Sequence, residues 1–193
     1  MNKHFFRRVS LLLFILVIIF SAGCSKTTKV NSSVPVMTAN ELSVYDKTIK
    51  KSIYIGMTKN DVEKTIGEAS NVQNENGGKI YLYDNLSIVY TDDAITWMAI
   101  GDNDSSYDNF NYNTDISLGE KKDDVVKKLG SAAKETPMKS SNKELDLYYY
   151  LAKGKNLTKV QMPQKPTEGY GVVFTYSGDK LDEVMITNYN ANK

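Results

Sequence analysis

The sequence predicts an α+β fold: two tandem copies of a short helix plus a three-stranded antiparallel unit, with the helices on one face of the sheet. Three observations predict it. First, Ile53-Tyr-Ile-Gly-Met-Thr-Lys-Asn-Asp-Val-Glu-Lys-Thr-Ile-Gly67 lies above Ile116-Ser-Leu-Gly-Glu-Lys-Lys-Asp-Asp-Val-Val-Lys-Lys-Leu-Gly130, with Ile, Gly, Lys, Asp, Val, Lys and Gly at matching places. Self-similarity at a fixed offset has to be settled before any other reading of a fold. Second, each copy carries helix marks. Third, strand-like stretches follow each copy.

The N-terminus comes first. Lys3, Arg7 and Arg8 form a positive patch, and an apolar run follows from Leu11 to Phe20. A helix rising about 1.5 Å per residue over so short a run does not cross a bilayer core of about 30 Å. A basic start, a short apolar stretch and then small residues (Ser21, Ala22, Gly23) read as a signal peptide over 1–23. Ser25 to Val36 is polar, and 24–37 reads as a flexible tether. Repeat 1 is then expected over 38–104 and repeat 2 over 105–193.

Within each copy, Gly56 and Gly119 precede the helix. Thr58 with Asp61 is a capping-box signal. Val62 and Ile66 share one helix face, as do Val125 and Leu129. Gly67 and Gly130 fall where a helix C-terminus favours a left-handed residue. Strands are expected at 79–84, 86–91 and 95–100, then at 145–150, 172–176 and 181–186. Tyr81 and Tyr83 align with Tyr148 and Tyr150 at an offset of 67, whereas Leu86, Ile88 and Tyr90 align with Val172, Phe174 and Tyr176 at 86. The difference is an insertion, Leu151 to Tyr170, read as a protruding loop that bears Lys153, Lys155, Lys159 and Lys165. Asp102 to Asp108 resembles a calcium loop only faintly: Tyr107 and Asn113 stand where glycine and a bidentate Glu belong, so it reads as a polar linker.

Two resemblances follow from these residues. The small residues before Cys24 resemble the lipobox of bacterial lipoproteins, in which the cysteine sulfur receives a diacylglyceryl group. Ser21 departs from the leucine usual three positions before it. The resemblance implies a membrane anchor through lipid on Cys24 and a location on the extracytoplasmic side of the cell membrane. The repeat, I-x-[IL]-G-x-x-x-x-D-V-x-x-x-[IL]-G followed by a tyrosine-bearing strand and an apolar hairpin, resembles that of beta-lactamase inhibitory protein. It is also similar to the small outer-membrane lipoproteins of the barrel-assembly machinery. This implies an antiparallel sheet with helices on one side. The inhibitor's disulfides have no counterpart, because Cys24 is the single cysteine.

Composition narrows the function. Removing Lys3, Arg7 and Arg8 from 24 basic residues leaves 21 against 23 acidic ones, a net charge of −2 on the mature chain. That charge argues against nucleic acid, which favours a concentrated basic face. His4, the only histidine, lies in the signal peptide. The mature chain therefore lacks Ser-His and Cys-His pairs and the usual zinc sets. No enzyme, cofactor or metal is expected. On the parity of the strands, Leu86, Ile88 and Tyr90 face the helices, and Tyr81, Tyr83, Trp97, Tyr148 and Tyr150 face outward as an aromatic partner-binding surface. The chain then reads as a membrane-anchored protein-binding or inhibitor-like module acting through its open sheet face. The alternative is a structural subunit of a cell-envelope assembly.

Overall fold

The structure is a computed structural model that describes residues 40–75, 78–101, 109–132, 134–138, 143–153 and 156–192. The expected signal peptide, Cys24, the expected tether and the expected linker 102–108 lie outside the described residues.

A 3-10 turn, Asn40–Leu42, leads into β1 (Ser43–Asp46) and β2 (Lys51–Tyr54). Asp46 pins the turn between them: its Oδ1 accepts from the Thr48 amide at 2.7 Å and the Ile49 amide at 3.1 Å. Helix α1 (Lys59–Ile66) follows, and then β3 (Asn71–Glu75), β4 (Gly78–Tyr83), β5 (Leu86–Thr91) and β6 (Ala94–Gly101). After β7 (Phe110–Tyr112) come helix α2 (Lys122–Leu129), β8 (Lys134–Met138), β9 (Lys143–Lys153), β10 (Asn156–Val160), β11 (Tyr170–Ser177) and β12 (Lys180–Asn188). A second 3-10 turn, Tyr189–Asn192, comes last in the described chain.

The predicted fold class is corrected. The chain is mostly β, with two short helices among the described residues, and is not a pair of helix-plus-three-strand copies. Nine strands form one antiparallel sheet in the order β10-β9-β11-β12-β6-β5-β4-β3, with β8 also on β9. Strands β2, β1 and β7 form a separate small sheet. Three strand positions were unreadable as alternation. β3 is almost wholly polar, β7 is three residues long, and β8 contains Pro137. The insertion is not a simple protruding loop either. β9 runs on to Lys153, and β10 turns back to pair with it, Leu157 opposite Ala152 and Val160 opposite Tyr149.

Local geometry nonetheless recurs. The Gly56 amide donates to the Ile95 carbonyl at 3.0 Å, and the Gly119 amide to the Leu181 carbonyl at 2.8 Å. Lys59 N reaches Asp93 O at 3.1 Å, and Lys122 N reaches Asp179 O at 2.8 Å. The sheet is irregular between Val89 and Tyr90 and again between Thr175 and Tyr176, 86 residues on. Each helix is thus clamped at its start to the turn before the last strand that follows it.

Capping differs between the helices. Thr58 Oγ1 accepts from the Asp61 amide at 3.1 Å, whereas Lys121 at the same place gives α2 no side-chain cap. Both helices stop at a glycine with positive φ: Gly67 (φ 87°, ψ −177°) and Gly130 (φ 74°, ψ −179°). With ψ extended, these are not left-handed caps. They occupy a region essentially restricted to glycine.

The core lies between one face of the large sheet, both helices and the small sheet. Val62 and Val125 are the fully buried helix residues, each contributing roughly 1.5–3 kcal/mol by leaving water. Phe174 stands at the centre, edge-on to Tyr112 at 5.0 Å and to Tyr148 at 5.4 Å. The Tyr112 hydroxyl donates to the Glu41 carbonyl at 2.9 Å, so this buried phenol is satisfied.

Candidate binding face

Side chains directly opposite one another in an antiparallel pair share a face. Leu86, Ile100, Val184, Phe174 and Asp146 form one such row across five strands. Ile88, Met98, Ile186, Val172 and Tyr148 form the next. These rows face the core. Tyr81 stands opposite Ile88, Tyr83 opposite Leu86, and Tyr150 opposite Tyr170, so all of them point the same way.

The expected aromatic surface is therefore corrected. Tyr83, Tyr148 and Tyr150 are buried members of the core, and Tyr81 is half-buried and packed against it. Trp97 alone of the five points to the other face. The parity reading failed at the turn. Only Asp84 and Asn85 separate β4 from β5, so Tyr83 and Leu86 must be partners. The offset of 67 was also wrong: by register, Tyr83 matches Tyr148 (opposite Leu86 and Val172), and Tyr81 matches Asp146 (opposite Ile88 and Phe174).

The other face is also apolar. One row reads Ser87, Ala99, Met185, Val173 and Leu147; the next reads Val89, Trp97, Thr187, Gly171 and Tyr149. Trp97 (9% exposed), Ala99, Met185 and Tyr149 are buried yet stand outside the core cluster. Val89, Leu147 and Val173 are half-buried. One end of this face is closed by Tyr189, whose ring packs where a Cβ on Gly171 would lie 2.9 Å away, and which meets Tyr149 at 6.1 Å. The Tyr149 hydroxyl donates to the Glu168 carbonyl. Trp97 Nε1 is buried without a hydrogen-bond partner among the described residues. A signal for this face was present in the chain. Ala94 to Ile100 is nearly unbroken in apolar residues, as a strand covered on both faces should be.

A carboxylate sits on the same face, in the row Gly101, Glu183, Thr175 and Leu145. Burial pushes Glu183 up to about 7, against the opposing pull of Lys143 and with the added repulsion of Asp182. Lys143 and Asp182 themselves form an ion pair.

On the core side, polar groups gather beneath the start of each helix. Lys59 Nζ lies 4.9 Å from the centre of the Tyr81 ring, and the hydroxyls of Tyr83 and Tyr90 are 3.3 Å apart. Burial raises both phenols. Beneath α2, Lys122 Nζ lies 3.1 Å from Asp146 Oδ1, 3.0 Å from Glu144 Oε2 and 5.6 Å from the centre of the Tyr176 ring. Asp146 is fully buried, and burial lifts its carboxyl above the usual range against the pull of Lys122. Burial lowers the Lys122 ammonium, but the two carboxyls beside it outweigh that and leave its pKa raised. Sequence reading passed over Asp146 because a carboxylate in a strand usually faces water.

Lys159, from the insertion, docks on the end of α2. Its Nζ donates to the carbonyls of Leu129 at 3.0 Å and Ser131 at 3.1 Å and lies 5.4 Å from the centre of the Tyr148 ring. Among the described residues, no group of three or more His, Cys, Asp or Glu could hold a metal ion, and no helix is long and apolar enough to cross a membrane.

No protein-family model and no curated protein matches the chain. Two solved crystal structures are similar to it in the course of the chain. A DUF4309 family protein from Bacillus subtilis has a TM-score of 0.40 at 16% identity, over 68% of this chain and 78% of its own. An extracellular protein containing an SCP domain, from Bacillus anthracis, has a TM-score of 0.44 at 11% identity, over 86% of this chain; the match spans 50% of that protein's length.

Proposed function

We propose that the chain is an extracytoplasmic module, held to the membrane by lipid on Cys24, that binds a protein partner through the second face of its large sheet. The supporting observation is that face itself. Its rows, from Val89 and Trp97 to Met185, Val173 and Leu147, are apolar and separate from the main core cluster, with Trp97 and Met185 buried and the other three half-buried. Val89, Val173 and Leu147 are only half-buried and so keep apolar area that a partner would cover, and a Trp beside them is the kind of anchor on which binding energy concentrates. The location rests on the basic, apolar and small-residue segments that precede Cys24. The reading includes no catalytic step.

Recovery from native membranes with the anchored chain as bait tests it. The unsubstituted chain retains a partner, and the Leu147→Lys, Val173→Lys double variant loses it while keeping its thermal melt. Equal recovery with both would overturn the choice of face. Cys24→Ala tests the anchor separately. It should release the protein to the medium or leave an uncleaved precursor, and unchanged processing and membrane association would remove the lipid from the proposal.

A further inference from the structure

The pair beneath α2 is costly as an ion pair. Taking a carboxylate fully out of water is costly, and a partner offsets that only with well-aligned hydrogen bonds. Neither oxygen of Asp146 has an aligned hydrogen bond among the described residues, although Lys122 Nζ stands 3.1 Å from one of them. The Tyr176 hydroxyl beside them is likewise without a partner. Nor does the fold require a carboxylate there. Tyr81 takes the matching position beneath α1, with Lys59 over its ring. Among the described residues, the other charged group on Lys122 is Glu144, half-exposed at the mouth of the site.

We propose that Lys122 and Asp146 are the two ends of an intramolecular amide cross-link that forms after folding, with Glu144 moving the protons. The parts are held as such a reaction needs them: amine against carboxyl, a second carboxylate 3.0 Å from the same nitrogen, and the Tyr176 ring beside the amine. Fixing reactants at this range replaces a bimolecular encounter with an intramolecular step. The Lys122 ammonium gives a proton to Glu144. Neutral Nζ then bonds to the Asp146 carboxyl carbon, and the C–O bond to one carboxyl oxygen breaks. Both protons lost by Nζ end on that oxygen, carried by Glu144, and it leaves as water. Ammonium and carboxylate become one amide and one water, so no oxidant or activated co-reactant is needed. The buried Asp146 carboxylate loses its charge together with the partly exposed Lys122 ammonium, which relieves the cost of holding that carboxylate out of water. The product staples the first residue of α2 to the middle of β9 in a chain that cannot form an internal disulfide.

Mass spectrometry of the chain isolated from its native membrane, digested and mapped, tests the proposal. The peptides carrying Lys122 and Asp146 should appear joined, one water lighter than their sum, in most molecules. The Lys122→Arg variant keeps the charge but not the nucleophile and should give both peptides separately. Glu144→Gln should slow joining of freshly refolded protein at least tenfold. Separate peptides at full mass in the unsubstituted protein would overturn the cross-link and leave an ion pair only. This reading does not depend on how any variant folds, and lipid on Cys24 is read from a different peptide.

Discussion

Tyr83 and Leu86 stand directly opposite one another across the two-residue turn at Asp84 and Asn85, and so share one face of the sheet. The same relationship joins Tyr148 to Val172 and Tyr150 to Tyr170. These tyrosines therefore support the fold. Replacing a large buried aromatic side chain by a small one typically costs about 3–5 kcal/mol. The Tyr148→Ser, Tyr150→Ser double variant should lose its cooperative thermal melt at 25 °C or melt far below the unsubstituted chain. A melt displaced by only a few degrees would restore these rings to the surface.

The two helix starts make opposite predictions. Thr58→Ala removes the cap on the Asp61 amide and should cost about 1 kcal/mol. Lys121→Thr supplies α2 with the cap it lacks, at a residue whose backbone is already extended (φ −71°, ψ 143°), and should add about 0.5–1 kcal/mol. Urea titration of both variants at one pH measures the two changes together.

Stability should fall as pH rises through neutrality. Glu183 is held at about 7 in the folded chain, above the ordinary glutamate value of 4.5. The folded state therefore binds this proton more tightly than the unfolded state, so the contribution is complete below about 4.5 and is lost as pH climbs through about 7. Glu183→Gln isolates this group. Its melting temperature should change less between pH 5 and pH 8 than that of the unsubstituted chain, and parallel profiles would exclude Glu183 as the source.

Lys159 joins the insertion to the C-terminal end of α2, where a cation offsets the helix dipole. Lys159→Met keeps the stem and removes the charge. It should lower stability by about 0.3–1 kcal/mol and increase amide exchange of β10 before that of β11.

What the chain disclosed beforehand was its local order. Thr58, Asp61, Gly67 and Gly130 mark both helices, and the expected strands at 86–91 and 95–100 coincide with β5 and β6 within one residue. The small sheet was not legible because its strands are short and its pairing joins Tyr45 to Asn111, a relation no local pattern carries. The site was misread for a different reason. Alternation tells which residues share a face within a strand but leaves each strand free to flip, and only the turn between Tyr83 and Leu86 ties the two together. Asp146 could not be foreseen at all, since its environment is assembled from α2, β9 and β11.

The central seam of the sheet sets a schedule. Met98 pairs with Ile186 across β6 and β12, so the strand formed early in the chain waits for one near its far end. Closing so long a loop is entropically expensive, and contacts of this sequence separation form slowly. A chain threaded through a membrane from its N-terminus would emerge with β5 and β6 hydrogen-bonded to each other and the far edge of β6 bare until Leu181 to Asn188 followed. Such an edge is open to pairing with any other extended chain. Escape from aggregation then depends on how quickly the last strand arrives, so slowing translocation late in the chain should harm yield more than slowing it early.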